Sequence, residues 1–119
     1  MKIEVSHGEI VDKLTILTIK KERIQDPKKL IDLSKEYDYI LGIVENDLKM
    51  STSSEEFNEL LEINKKIWDS EDMVRSNLND SDYLYYSKLS HDNNEKRFKI
   101  KQKINNKYNS NFIEVKNYG

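Results

Sequence analysis

Apolar residues in this chain recur at helical spacing, in blocks separated by turn-forming residues. Ile10, Leu14, Leu17 and Ile24 lie along one side of a first helix, and Ser6 with Glu9 before them has capping-box spacing. A second side carries Ile16 and Ile19 with Asp12 and Arg23, so this helix is expected either at the centre of a bundle or under a second subunit. Asp26-Pro27 is an N-cap followed by the proline favoured at the first helical position, opening a helix that should run to about Lys49. Leu30, Leu33, Tyr37, Ile40, Leu41, Val44 and Leu48 form its seam, and Gly42 falls on its polar side.

Ser53 and Glu56 again have capping-box spacing, ahead of a third helix from about Ser54 to Leu78. Its apolar side holds Phe57, Leu60, Leu61, Ile67, Trp68, Val74 and Leu78. There the pattern breaks: at about 100° per residue Asn64, Glu71 and Arg75 fall within roughly 60° of Trp68, inside the apolar arc. Buried polar groups without partners cost on the order of a few kcal/mol, so other parts of the chain should supply donors and acceptors. The plainer alternative is an i,i+4 pair of Glu71 with Arg75 at the mouth of the core.

A polar cluster from Asn77 to Asp82 ends the block, and Tyr83, Tyr85 and Tyr86 follow in a segment read as helical. From Asp92, with Glu95 completing another box, a last helix is predicted to about Tyr108. Its inward side mixes Phe98, Ile104 and Tyr108 with Asn94, Arg97, Lys101 and Asn105, which makes it either an edge helix or the partner of the tryptophan helix. In the second case Glu71 and Asp72 pair with Arg97 and Lys101, while Asn64, Asn94 and Asn105 fill the remaining positions. Glu71 and Arg97 should then be in contact or one water apart, with Glu9, Asp12 and Lys13 at the same end. Lys2 to Val5 and Phe112 to Lys116 alternate and share the triplet Ile-Glu-Val, reading as short strands. The expected fold is mainly α: one domain, 1–119, with a bundle of about four helices, antiparallel neighbours, and short N- and C-terminal β-strands that can pair.

Composition narrows the function classes. A chain of 119 residues supports a single core, and 35% charged residues with a formal charge of −2 lack the basic excess of a nucleic-acid binder. With no cysteine and two isolated histidines, His7 and His91, neither a disulfide nor a His/Cys metal site is expected, and no cofactor is implied. The absence of cysteine fits a cytoplasmic protein, and Met1-Lys2-Ile3-Glu4 opens with alternation, so neither a signal peptide nor a membrane span is expected. Gly8, Gly42 and Gly119 form no phosphate loop, and no Ser/His/Asp set stands out.

Several runs also carry a family resemblance. Gly8-Glu9-Ile10-Val11-Asp12-Lys13-Leu14-Thr15-Ile16-Leu17 with Ile19-Lys20, Asn64 with Trp68 and Glu71-Asp72, Asn94, Arg97, Lys101, Ile104-Asn105, and Glu114-Val115-Lys116 span nearly the whole chain. Together they resemble a family of small bacterial and phage proteins known only as a domain of unknown function, the D-K-L-T-I-L run being the specific part. The resemblance implies a compact helical protein and carries no activity. Thr18 stands where that family's pattern has Glu.

Three functions fit these residues. The leading one is an interaction or assembly protein, homodimeric, whose polar core fixes helix register. The alternative is a site for a small anion such as a nucleotide or sugar phosphate, built by Lys13, Arg97 and Lys101 with Trp68 as a wall. The third is an enzyme: a chorismate-mutase-like site using Arg and Lys to hold a dicarboxylate, or a Mg-dependent nucleotide pyrophosphohydrolase-like site on Glu9, Asp12, Glu71 and Asp72.

Overall fold

The computed structural model describes residues 5–76 and 78–108. Within them the chain forms α1 (His7–Arg23), α2 (Pro27–Gly42), a π-helical turn (Ile43–Asp47), α3 (Glu55–Arg75) and α4 (Asp80–Lys107). The bundle of four helices is as the periodicity predicts, and there is no strand among the described residues. The expected strand over 112–116, and all but Val5 of that over 2–5, lie outside them.

Local chemistry explains the helix starts. Ser6 caps α1 by accepting from the Glu9 N–H at 3.2 Å, satisfying one of the free amides of the first turn. The Glu9 carboxylate, which a full capping box would turn back on the cap, goes instead to Lys101 on α4. Helix α1 ends at Arg23, with Ile24 already extended (φ −84°, ψ 130°), and Pro27 favours the extended backbone of Asp26 (φ −69°, ψ 116°), which caps α2 through the Lys28 N–H at 3.0 Å. The chain leaves α2's continuation through Lys49, at φ 61° in the left-handed region.

Two starts differ from expectation. The cap of α3 is Ser54, accepting from the Phe57 N–H at 3.3 Å, because the Ser53 hydroxyl lies 2.7 Å from that of Ser51, within the preceding turn. Helix α4 begins at Asn79, which accepts from the Asp82 N–H at 2.9 Å, and not at Asp92. The cap-like run around Asp92 lies inside one continuous helix of 28 residues, about 42 Å long, because packing on α3 continues on both sides of it and no Gly or Pro interrupts it.

Helix α1 is the centre: it packs on α2, α3 and α4, and Val11, Leu14 and Ile19 are fully buried. Its two apolar sides are therefore covered within one chain. The core joins Val11, Leu14 and Leu17 to Ile40 of α2 and to Val44 and Leu48 just beyond it, to Phe57, Leu60 and Ile63 on α3, and to Ile104 on α4. Helices α3 and α4 run antiparallel, tied by Glu56 to Lys107 and Glu59 to Lys103. No helix among the described residues is long and apolar enough to cross a membrane.

Candidate functional site: a polar seam between α1, α3 and α4

Where α1 meets the C-terminal half of α4, contacts recur every turn because residues four apart on α4 share a face. The Gly8 N–H donates to Asn105 Oδ1 at 2.7 Å, Lys101 Nζ donates to Glu9 Oε1, and Arg97 grips Asp12. Gly8 is required by this closeness: a Cβ there would stand 2.7 Å from the Lys101 backbone carbonyl.

Asp12 is the hub, with only 4% of its surface exposed. Its Oδ1 accepts from Arg97 Nε at 2.9 Å and from Asn64 Nδ2 at 2.9 Å, and its Oδ2 accepts from Arg97 Nη2. Asn64, on α3, also donates to Thr15 Oγ1 at 2.7 Å, whose own hydroxyl donates to the Asp12 carbonyl at 2.7 Å. Three helices thus meet on one carboxylate. Removing such a charge from water costs several kcal/mol by itself, and the two parallel bonds from the guanidinium plus the amide offset that cost. Asn64 Oδ1 and Asn105 Nδ2 have no hydrogen-bond partner among the described residues.

A further rung joins the buried Glu56 of α3 to Lys107 of α4. The Lys107 side-chain hydrogen bond holds the Glu56 carboxyl below the ordinary glutamate value of 4.5, and the same bond raises Lys107 above its ordinary value of 10.5.

The sequence-predicted residues divide. Glu9, Asp12, Asn64, Arg97, Lys101 and Asn105 meet in the seam. Asn94 is exposed and touches Arg97 from outside, its Oδ1 at 3.5 Å from Nη1. Glu71 and Asp72 do not join: both are exposed, Asp72 pairing with Arg75 at 2.8 Å, and the carboxylate on Arg97 is Asp12. The reason is coverage. Arg23, the last residue of α1, reaches Asp69 at 2.6 Å, so the face of α3 that α1 covers at Asn64 is open to solvent at Glu71 and Arg75.

The four candidate ligand residues are not gathered in one place. Lys13 is exposed and pairs with Glu36 of α2 at 3.0 Å, while half-buried Trp68 lies under the Arg23 guanidinium, 5.8 Å from the ring centre. Arg97 and Lys101 are held by Asp12 and Glu9. Those carboxylates, the first pair of the proposed Mg set, are accordingly committed to cations of the protein. Among the described residues no three His, Cys, Asp or Glu side chains are grouped to hold a metal ion.

Sequence reasoning passed over Thr15, Gly8 as a contact point, and the Glu56–Lys107 rung. Thr15 was legible as a hydroxyl set between Leu14 and Ile16 one turn after Asp12, and Gly8 as a glycine in the first turn of a helix in a chain with only three glycines. The sequence marks Glu56 only as the capping-box partner of Ser53, a local role that gives no sign of Lys107, 51 residues on.

No curated protein and no solved structure matches the chain. One family model does, described as a family of unknown function (DUF6165), and its match covers residues 1–119. The chain, with a helical fold knit by a buried polar seam, belongs to that family over its whole length.

Proposed function

We propose that the protein is an interaction and assembly module that pairs with a second copy of itself, and that its polar seam is structural, holding α1, α3 and α4 in one register. The observation that carries this reading is the placement of the exposed apolar residues in two patches of opposite charge. At the tip of the α3–α4 hairpin Met73, Tyr83, Leu84 and Tyr85 are exposed beside the exposed acids Glu71, Asp80 and Asp82. On α2, Ile31 and Tyr39 are exposed, at 58% and 68%, and share one stripe with the exposed Lys28, Lys35 and Asp32, which leaves it a net positive charge.

Apolar groups rimmed by charge are characteristic of protein interaction surfaces, and opposite potentials set the register of the partners. A two-fold dimer that places each tip on the partner's α2 stripe satisfies both patches twice and closes. The second apolar side of α1, a reason on sequence to expect a dimer, is occupied by the chain's own helices and lends no support. The seam offers a ligand little, since Arg97 and Lys101 are already neutralised by Asp12 and Glu9.

Sedimentation across a concentration series tests the reading. The expected result is a dimer that weakens with added salt and is lost in Leu84→Glu and in Ile31→Glu, with helicity unchanged. A monomer at every concentration would reject it, as would a dimer indifferent to both changes.

A further inference from the structure

A groove of about 550 Å³ runs between the C-terminal half of α3 and the N-terminal half of α4, away from the seam. Its lining is graded along its length. At one end stand Lys66 of α3 and Lys96 of α4, both exposed, and neither takes part in an ion pair among the described residues. In the middle lies Asn93, 3% exposed, with a carboxamide Nδ2 that has no hydrogen-bond partner. At the other end Met73, Tyr86 and Leu89 make an apolar wall. Asp69 also borders the groove, but the Arg23 guanidinium at 2.6 Å neutralises it, and the Ser70 hydroxyl is committed to the Lys66 carbonyl at 2.9 Å.

We infer that this groove binds a small amphipathic anion, a carboxylate or phosphate monoester carrying an apolar body about 10 Å long, the helical rise from Lys66 to Met73. The anionic group sits between the two ammonium groups, the body lies on Met73, Tyr86 and Leu89, and an acceptor on the ligand meets the amide of Asn93. Three independent features converge. Two ammonium groups on opposite walls of a groove whose one bordering carboxylate, Asp69, is already paired with Arg23 are relieved by an anion. A buried amide nitrogen without an acceptor is a donor in need of one. Apolar side chains at only one end give the ligand a direction. The next groove along the same helices shares Lys66 but sets Glu55, Glu59 and Glu62 beside it, over Ile63 and Ile100, and so favours the anion on the side where Lys66 stands with Lys96.

The test uses the full chain with octanoate, octyl phosphate, octanol and inorganic phosphate, below micelle-forming concentrations, followed by amide chemical shifts and calorimetry. Octanoate and octyl phosphate should bind and move the resonances of Lys66, Asn93 and Lys96, with octanol and inorganic phosphate at least about tenfold weaker. The double change Lys66→Gln/Lys96→Gln should reduce octyl-anion affinity about tenfold or more with the melting temperature unmoved, and Asn93→Leu should weaken it separately. Cosedimentation with vesicles containing an anionic phospholipid separates the sources: capture that the double change abolishes assigns a membrane-borne ligand, and no capture assigns a free one. Equal binding of octanol and octanoate, binding unaffected by the double change, or no binding of either octyl anion would overturn the inference. Met73 belongs to both the tip patch and the groove wall, but Leu84 and Ile31 do not line the groove and Lys66, Asn93 and Lys96 are not in the patches, so the variants of the two tests tell their outcomes apart.

Discussion

Replacing Arg97 by methionine removes the guanidinium and keeps most of its length, leaving the Asp12 carboxylate buried with Asn64 as its remaining side-chain donor. Breaking a buried ion pair at one partner costs about 3–5 kcal/mol, because the other charge stays desolvated. Arg97 keeps 29% of its side chain in contact with water, against 6% for Asp12, so water can enter the vacated space and the low end, about 3 kcal/mol, is expected. With a urea slope of about 1–3 kcal/mol per molar for a protein of this size, the unfolding midpoint should fall by about 1–3 M at unchanged slope. Equilibrium unfolding followed by circular dichroism reads this directly. The double variant Asp12→Leu/Arg97→Met should recover a large part of the loss, since neither charge is then left uncompensated. A cost below about 1 kcal/mol, the range of exposed ion pairs, would refute the argument that Asp12 is the hub of the fold, and so would a double variant no more stable than the single one.

Further outcomes follow from the same contacts. Gly8→Ala should destabilise by about 1–3 kcal/mol despite the better helix propensity of alanine, because its Cβ meets the Lys101 carbonyl at 2.7 Å, whereas Gly42→Ala, with nothing closer than Asn46 at 4.0 Å, should stabilise by about 0.5–1 kcal/mol. Thermal melts of the two variants moving in the same direction would contradict this. The depressed Glu56 carboxyl contributes stability that is fully present above its unfolded pKa and is lost as pH falls through its folded one, so urea midpoints of the wild type should fall more steeply below about pH 4.5 than those of Glu56→Gln. Coincident acid limbs would show that the Lys107 bond adds nothing. Lys103→Ala, which removes an exposed partner of Glu59, should change stability by no more than about 1 kcal/mol, marking the contrast between rim and seam in the same melts.

What the sequence determined by itself is what depends on neighbours in the chain. Ser6 and Asp26-Pro27 begin helices wherever they stand, because a side-chain oxygen accepting a first-turn amide, or a proline with its φ preset, acts within a few residues. The helical period likewise placed Arg97, Lys101 and Asn105 on one inward face of α4, and made it necessary that carboxylates and amides meet them. Which carboxylates these are was decided only by the tertiary structure. Glu71 and Asp12 are equivalent by periodicity, each an acid among apolar neighbours, yet Asp12 is buried and Glu71 is not. Periodicity fixes the angle of a side chain about its own helix axis and is silent on how far the covering helix extends. Since α1 ends at Arg23 against Asp69, Asn64, before that point on α3, became core, and Glu71 and Arg75, after it, became surface.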